Sequence, residues 1–189
     1  MKYLLTSAAA AALILGAGAA SAQTVPAATV IIVDMDQVIL NSAAGKAAST
    51  ELKTKSDALQ ARATSLQTQF GNEEQALAKS QPAQGAAPAV ITAFQAKARD
   101  YSSRRQAAEA EINNRSRDFQ ASRQYVIKQI QDGANPVIST IMRERGASIV
   151  MAEGATLQHS ASIDVTADVT ARLDRSLPRV STVAPAAPK

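Results

Sequence analysis

The sequence contains no cysteine and no tryptophan, and it has only one histidine. Without cysteine the chain gains no stability from disulfide bonds. One histidine without any cysteine cannot supply the ligands of a structural zinc site. The chain also lacks a glycine-rich phosphate loop, so we expect neither ATP use nor any other cofactor.

Aromatic residues make up only 3% of the chain, and alanine supplies much of its apolar fraction. Side chains large enough to fill a globular core are therefore scarce. A composition rich in Ala, Gln, Arg, Lys and Glu is typical of long helices, which need a partner helix or subunit to stabilise them. The composition predicts a mainly helical, oligomeric protein.

No apolar run reaches the roughly 20 residues that a membrane-spanning helix needs. The run from Leu4 to Leu15 is shorter, and it lies between Lys2 and the small residues Ala20-Ser21-Ala22, as in a cleavable export signal. We expect residues 1–22 to be a signal peptide cleaved after Ala22. Because no cysteine follows, a lipid anchor is not expected. An exported, basic, cysteine-free chain fits the bacterial periplasm.

The net charge of the chain is +4, and it falls to +3 when Lys2 is removed with the signal peptide. Since nucleic acid is largely absent from the periplasm, this charge points to acidic protein partners or anionic lipid headgroups. A charge that only keeps the protein soluble is the other interpretation.

Two short β-branched segments near opposite ends of the chain predict a small sheet. Residues 29–34 and 147–152 each indicate a buried strand, and residues 156–159 are a predicted third strand. A final helix is predicted over residues 166–176. Because a sheet of two or three short strands is marginal alone, we expect sheets from several subunits to join.

A long helical hairpin is predicted between these segments. Leu52, Leu59 and Leu66 recur every seven residues, which is typical of a coiled-coil seam. The two arms, residues 35–80 and 89–134, have nearly equal lengths, as expected of antiparallel helices.

Glycine and proline mark where this hairpin should turn and bend. Pro82, Gly85 and Pro88 predict a tip near residues 81–88. Gly45 is a predicted weak point of the first arm. Pro136 is expected to kink or interrupt the second arm, because proline removes a backbone hydrogen bond and clashes with the preceding turn.

The predicted fold is therefore mainly α with a small β body. The hairpin of residues 35–134 is inserted in a split α+β body made of residues 23–34 and 135–177. Residues 178–189 contain three prolines and are expected to be a disordered tail.

Several residue strings resemble the Skp/OmpH family of periplasmic chaperones. Ile31-Ile32-Val33-Asp34-Met35, with Val38, Leu40 and Gly45-Lys46, is similar to the family's opening strand and first helix. Arg143–Gly146 and Ile149–Met151 resemble the family's charged helix end and the strand that follows it. Ile163–Val169 resembles the family's closing motif.

The resemblance implies a homotrimer whose bodies form a small β-barrel and whose hairpins project like tentacles around a cavity. It also implies ATP-independent holding of unfolded outer-membrane proteins in that cavity, which prevents their aggregation. One departure concerns the tip: no residue from Gln81 to Gln95 is charged, whereas basic tips are familiar in the family.

Two sets of side chains on the hairpin are candidates for contact with an unfolded client. The apolar set near the tip either zips the arms together or also faces the client, and it comprises Phe70, Leu77, Val90, Ile91 and Phe94. The basic set is either a solvated helix face or a positive surface for acidic clients or lipopolysaccharide phosphates. It comprises Lys97, Arg99, Arg104, Arg105, Arg115, Arg117 and Arg123.

The body strands supply a third set, which we expect to form the core of the trimer. It comprises Ile31, Val33, Ile149, Val150 and Met151.

We do not expect an enzyme. His159 lies near Ser160, Ser162 and Asp164 in the sequence, but a Ser-His-Asp site also needs an oxyanion hole and a rigid pocket. A short turn between strands offers neither.

The competing hypothesis is a structural coiled-coil spacer or adaptor of a cell-envelope complex. Such a spacer needs well-filled seams and dedicated end domains, and the sequence has neither. This difference favours the holdase.

Overall fold

The computed structural model describes residues 27–185, so the predicted signal peptide and its cleavage site lie outside the described residues. The chain is mainly helical, with one small sheet. The strands are β1 (Val30–Val33) and β2 (Ile149–Ala152), and the helices are α1 (Met35–Asn41), α2 (Ala43–Lys79), α3 (Pro88–Arg145) and α4 (Thr166–Ser176).

The sheet consists of β1 and β2, which pair in parallel from Val30 with Ile149 to Val33 with Ala152. A parallel pair needs a long crossover connection, and the whole helical hairpin is that connection. On the other side of β1, the carbonyl of Ile32 accepts a 2.9 Å hydrogen bond from the amide of Val165. Within the described residues β1 therefore has neighbours on both sides, whereas β2 lies at an edge.

The predicted third strand at residues 156–159 is wrong. The chain instead forms two short 3₁₀ turns, at Glu153–Ala155 and Ala161–Ile163. Thr156 directs both its amide and its hydroxyl to the carbonyl of Glu153, at 2.9 and 2.8 Å. Because these local hydrogen bonds satisfy the backbone within the loop, the segment does not pair with β2.

The core lies in the body, where both ends of the chain meet the base of the hairpin. Its largest members are at most 3% exposed, and they come from β1, α1, α3 and α4: Ile31, Ile32, Val38, Ile130, Ile141, Val169 and Leu173. Burial of each such aliphatic side chain contributes about 1.5–3 kcal/mol. The body therefore fixes the base from which the two arms extend.

The helix of the first arm breaks at Ser42, not at the predicted weak point Gly45. Ser42 has an extended backbone, and its hydroxyl accepts a 3.1 Å hydrogen bond from the amide of Gly45. Gly45 is buried, and a Cβ atom there would lie 1.6 Å from the carbonyl oxygen of Ile39. The glycine is needed because α1 passes over α2 at this point, not because the arm bends there.

The second arm is not interrupted at Pro136. Helix α3 runs from Pro88 to Arg145 and carries Pro136 in its interior. A proline there costs about 3 kcal/mol, but the surrounding turns are held by burial, since Ala134 and Ile141 are both fully buried. The packing of the body outweighs the local preference.

The prediction of a disordered tail is wrong for residues 178–185, which pack on the base of the hairpin; residues 186–189 lie outside the described part. Val180 packs against the core, and Thr182 is only 5% exposed. Hydrogen bonds from both arms to the tail hold it, and composition alone does not reveal them.

Two glycine-to-alanine substitutions in α2 should have opposite effects on stability. We expect Gly45→Ala to lower the free energy of unfolding by about 1–3 kcal/mol, the usual cost of overpacking. Gly71→Ala should raise it by about 0.5–1 kcal/mol, because a Cβ there meets no atom within 4 Å and alanine favours the helix. Urea unfolding followed by circular dichroism measures both. A Gly45→Ala variant as stable as the wild type would contradict the close approach.

Candidate functional site

The two arms of the hairpin meet along the seam that the sequence predicts. The α2 residues along this seam are all partly or fully buried: Leu52, Ser56, Leu59, Ala63, Leu66, Phe70 and Leu77. On α3, Arg105 and Arg115 are exposed, and each pairs with a glutamate one helical turn away. The seam therefore combines larger apolar side chains with the small Ser56 and Ala63, and the two helices form a thin arm.

An aromatic pair joins the arms in the outer part of the hairpin, nearer the tip than the body. The rings of Phe70 and Tyr101 meet edge to face, with centroids 5.8 Å apart. The hydroxyl of Tyr101 lies 3.5 Å from the carbonyl oxygen of Phe70 and 3.4 Å from a carboxylate oxygen of Glu74. Beside this pair runs a groove of about 570 Å³, which Leu66 and Ile112 also line.

Tyr101 was not among the predicted candidate residues, although its position on the seam places it opposite Phe70 once the arms are paired. Counting residues along both arms from the tip gives the register of the hairpin, and this register could have identified Tyr101.

The apolar candidates near the tip divide into two groups. Phe70, Leu77 and Phe94 are half-buried between the arms. Val90 and Ile91, on the first turns of α3, remain 52% and 40% exposed. The first group is partly buried in the hairpin, and the second leaves aliphatic surface open to solvent.

The basic candidates also divide, according to whether they already have an acidic partner. Arg104 contacts Glu73 on the other arm at 2.7 Å and Asp100 on its own helix at 2.8 Å. Arg105 pairs with Glu109, and Arg115 pairs with Glu111.

The remaining basic candidates have no carboxylate partner within residues 27–185. Arg117 donates a hydrogen bond to Asn114. Lys97, Arg99 and Arg123 are exposed and form no ion pair in this part of the chain. Their charges are available to a partner molecule.

Cross-arm ion pairs set the pKa values of two glutamates. A hydrogen bond from Arg104 lowers the pKa of Glu73 below its ordinary value. Glu111 accepts hydrogen bonds of 3.1 and 2.9 Å from Arg62 on the other arm, which lower its pKa in the same way. Both pairs connect the arms: Arg104–Glu73 lies at about the same level of the hairpin as the aromatic pair, and Arg62–Glu111 lies closer to the body.

The body candidates lie partly in the core and partly at the sheet edge. Ile31 and Val33 are buried within the chain itself, at 3% and 2% exposure. On β2, Ile149 is 45% exposed, and Val150 and Met151 are partly exposed. The exposed strand is therefore β2.

The residues around His159 do not form a Ser-His-Asp arrangement. The hydroxyls of Ser160 and Ser162 lie 2.8 Å from each other, and Nε2 of His159 lies 3.6 Å from a carboxylate oxygen of Glu153. Residues 27–185 contain no cluster of His, Asp and Glu side chains that could hold a metal ion. Over the same range, no helix combines the length and apolarity needed to cross a membrane.

Acid should loosen the arms, because Glu73 and Glu111 must be protonated as the pH falls. Their folded-state pKa values lie below the ordinary 4.5, so the stability they contribute is present above pH 4.5 and is lost as the pH drops through the folded-state pKa. Urea unfolding between pH 7 and pH 3 should show this loss. The dependence of the free energy of unfolding on pH should be less steep in the double variant Glu73→Gln/Glu111→Gln.

The control is Asp57→Asn, because Asp57 pairs with Lys53 on the same helix and does not join the arms. It should keep most of the wild-type slope. An equal change of slope in both variants would show that the cross-arm pairs are not the cause.

Comparison with known proteins identifies a family whose profile matches the chain and a solved structure with a similar fold. Among solved structures, the chain is similar to a candidate OmpH-like outer membrane chaperone from Caulobacter crescentus CB15, with a TM-score of 0.69 and 22% identity over 82% of this chain and 88% of that chain. At this identity the likeness speaks for the fold alone. No curated protein gives a significant match.

The sequence profile of the OmpH-like outer membrane protein family matches residues 29–173. This range includes β1, both arms, β2 and most of α4, so it covers the body as well as the hairpin. The family predicted from the sequence is confirmed: the chain belongs to the OmpH-like outer membrane protein family.

Proposed function

We propose that this protein is an ATP-independent periplasmic holdase, which binds unfolded outer-membrane proteins between its helical arms and prevents their aggregation. The observation that carries the proposal is the pair of thin arms with open aliphatic surface, in a chain of the OmpH-like family. The related solved structure is itself described as an outer membrane chaperone.

The shape of the apolar surface suits clients of many sequences. Val90 and Ile91 are exposed near the tip, and the groove beside Phe70 and Tyr101 is open along the arms. Such shallow surfaces have no enclosed pocket that would select one side chain. Apolar contact is nondirectional, so it holds unfolded segments without requiring a particular sequence.

A homotrimer is part of the proposal, and the edge strand β2 supports it. Edge strands carry unpaired backbone groups, and a two-stranded sheet is marginal by itself. Ile149 on this strand is 45% exposed. Pairing of β2 with other subunits would bury it and close the small barrel.

The free cations are the proposed contact for acidic clients. Lys97, Arg99 and Arg123 lie on the same long helix and have no acidic partner among residues 27–185. Lipopolysaccharide phosphates or an anionic membrane surface would be attracted by the same charges.

A holdase should suppress aggregation of a denatured outer-membrane β-barrel without ATP. We expect light scattering to fall to background at about one trimer per client, and native mass spectrometry to give three chains with one client. Val90→Ser/Ile91→Ser should weaken client binding roughly tenfold through the loss of apolar contact.

The matched control is Ala93→Ser, an exposed position on the same turns of α3 that carries no large apolar group. It should bind as the wild type does. A clean trimer that leaves aggregation unchanged would overturn the function and favour a structural spacer.

Client binding should also depend on salt through the unpaired cations. Lys97→Gln/Arg99→Gln/Arg123→Gln should bind an acidic unfolded client about threefold to tenfold more weakly at low salt, because three exposed ion pairs are lost. The wild type and this variant should converge at high salt. Binding is measured by fluorescence anisotropy of the labelled client.

The control variant Arg104→Gln/Arg105→Gln/Arg115→Gln changes the net charge equally but removes cations that already have acidic partners. It should retain more affinity than the first variant. Equal losses would mean that overall charge, and not these three residues, attracts the client.

A further inference from the structure

The segment after α4 crosses the base of the hairpin and contacts both arms. It begins at Leu177, and the described part ends at Pro185. The match to the family profile ends at residue 173, before this segment begins. We refer to residues 177–185 as the strap.

The α3 arm binds the strap by its backbone. The side-chain amide nitrogen of Gln129 donates a 2.8 Å hydrogen bond to the carbonyl oxygen of Ser181. The amide of Ser181 donates a 3.1 Å hydrogen bond back to the side-chain oxygen of Gln129. One side chain thus satisfies both backbone polar groups of one residue, as the facing residue of an antiparallel strand would.

The α2 arm binds the next residue of the strap. Nζ of Lys55 donates to the carbonyl oxygen of Thr182 at 2.5 Å and to its hydroxyl at 3.0 Å. The hydroxyl of Thr182 in turn donates a 2.6 Å hydrogen bond to Glu51. Residues 51, 55 and 129 together form what we call the base cleft.

Two parts of the strap are held in different ways. Leu177 and Val180 pack against the core, whereas Val183 is 70% exposed and the hydroxyl of Ser181 donates only to the carbonyl of Val183 within the strap. Three of the hydrogen bonds at Ser181 and Thr182 involve backbone atoms, which every residue except proline provides in full. At these two residues the base cleft therefore binds mainly backbone groups and demands little of the sequence.

The cleft also opens toward the client surface. Val183, Ala184 and Pro185 lie at a groove of about 860 Å³ that continues between the arms, lined by Leu59 and Phe119. A polypeptide leaving the cleft in this direction would pass along the arms.

We propose that the base cleft is a binding site for short backbone segments of unfolded polypeptide, and that the strap occupies it as a tethered competitor. This rests on the proposed holdase function for the identity of the client. The strap is attached to α4 and so meets the cleft at the high effective concentration of an intramolecular ligand. A client segment displaces the strap only when its other contacts with the arms are already formed.

The test uses the full chain and weakens the strap without changing the cleft. Ser181→Pro removes the amide that donates to Gln129, and Thr182→Ala removes the hydroxyl that donates to Glu51. The double variant should bind an unfolded outer-membrane β-barrel about tenfold more tightly, as expected for the loss of two hydrogen bonds by a competitor. Arg179→Gln, an exposed strap position, is the control and should bind as the wild type does.

A spin label on the strap reports its displacement directly. Because the chain has no cysteine, Val183→Cys provides a single, exposed labelling site. We expect the label to become more mobile when a saturating amount of client is added. An immobile label on a client-loaded protein, or unchanged affinity of the double variant, would show that the strap is a fixed brace and overturn the proposal.

A synthetic peptide with the sequence of residues 177–185 separates this proposal from the holdase function. It should bind the double variant measurably, bind the wild type about tenfold more weakly, and lose its binding when Gln129→Ala is added. If these results hold while aggregation is not suppressed, the holdase function fails and the cleft stands. If the peptide does not bind the double variant, the cleft is overturned.

Discussion

The parallel pairing of β1 with β2 is the interaction on which the rest of the molecule depends. A parallel pair cannot be closed by a short turn, so the chain must leave the sheet and return to it over a long distance. Here the excursion is the hairpin, and the core formed by Ile130, Ile141 and Leu173 fixes both of its ends. Most of the fully buried aliphatic side chains lie in the body and at the base of the hairpin, whereas those near the tip of the arms are partly or largely exposed.

The arms gain their cohesion from contacts of another kind. Leucines alternate with small residues along the seam, and the pairs Phe70–Tyr101, Arg62–Glu111 and Arg104–Glu73 connect the two helices. Two helices cannot enclose their own apolar residues, so Val90 and Ile91 remain open. In a globular domain such exposure would be a liability, whereas in the proposed holdase it would be the surface that contacts clients.

Local patterns in the sequence predicted most of the fold, and contacts between residues far apart in the sequence explain two of the features that they missed. The β-branched runs located both strands, and the heptads located the arms, because these periods follow from helix and strand geometry. The burial that carries α3 through Pro136 and the Gln129–Ser181 bonds depend on residues far apart in sequence. Within the candidate site, the positions of proline and glycine in the sequence located the tip. Which basic residues have an acidic partner and which do not becomes clear only once the two arms are paired.

The contacts within the body join residues far apart in the sequence, and this separation also determines the order in which the protein can fold. The amide of Asp34 donates to the hydroxyl of Thr166, a bond that spans 132 positions of the sequence. Neighbouring turns of a helix form quickly, whereas contacts between distant residues must first overcome the entropy of closing a long loop. The arms are therefore expected to exist before their base is complete. During that interval β1 has no partner within the chain, and the incompletely folded protein exposes an unpaired strand that is prone to aggregation.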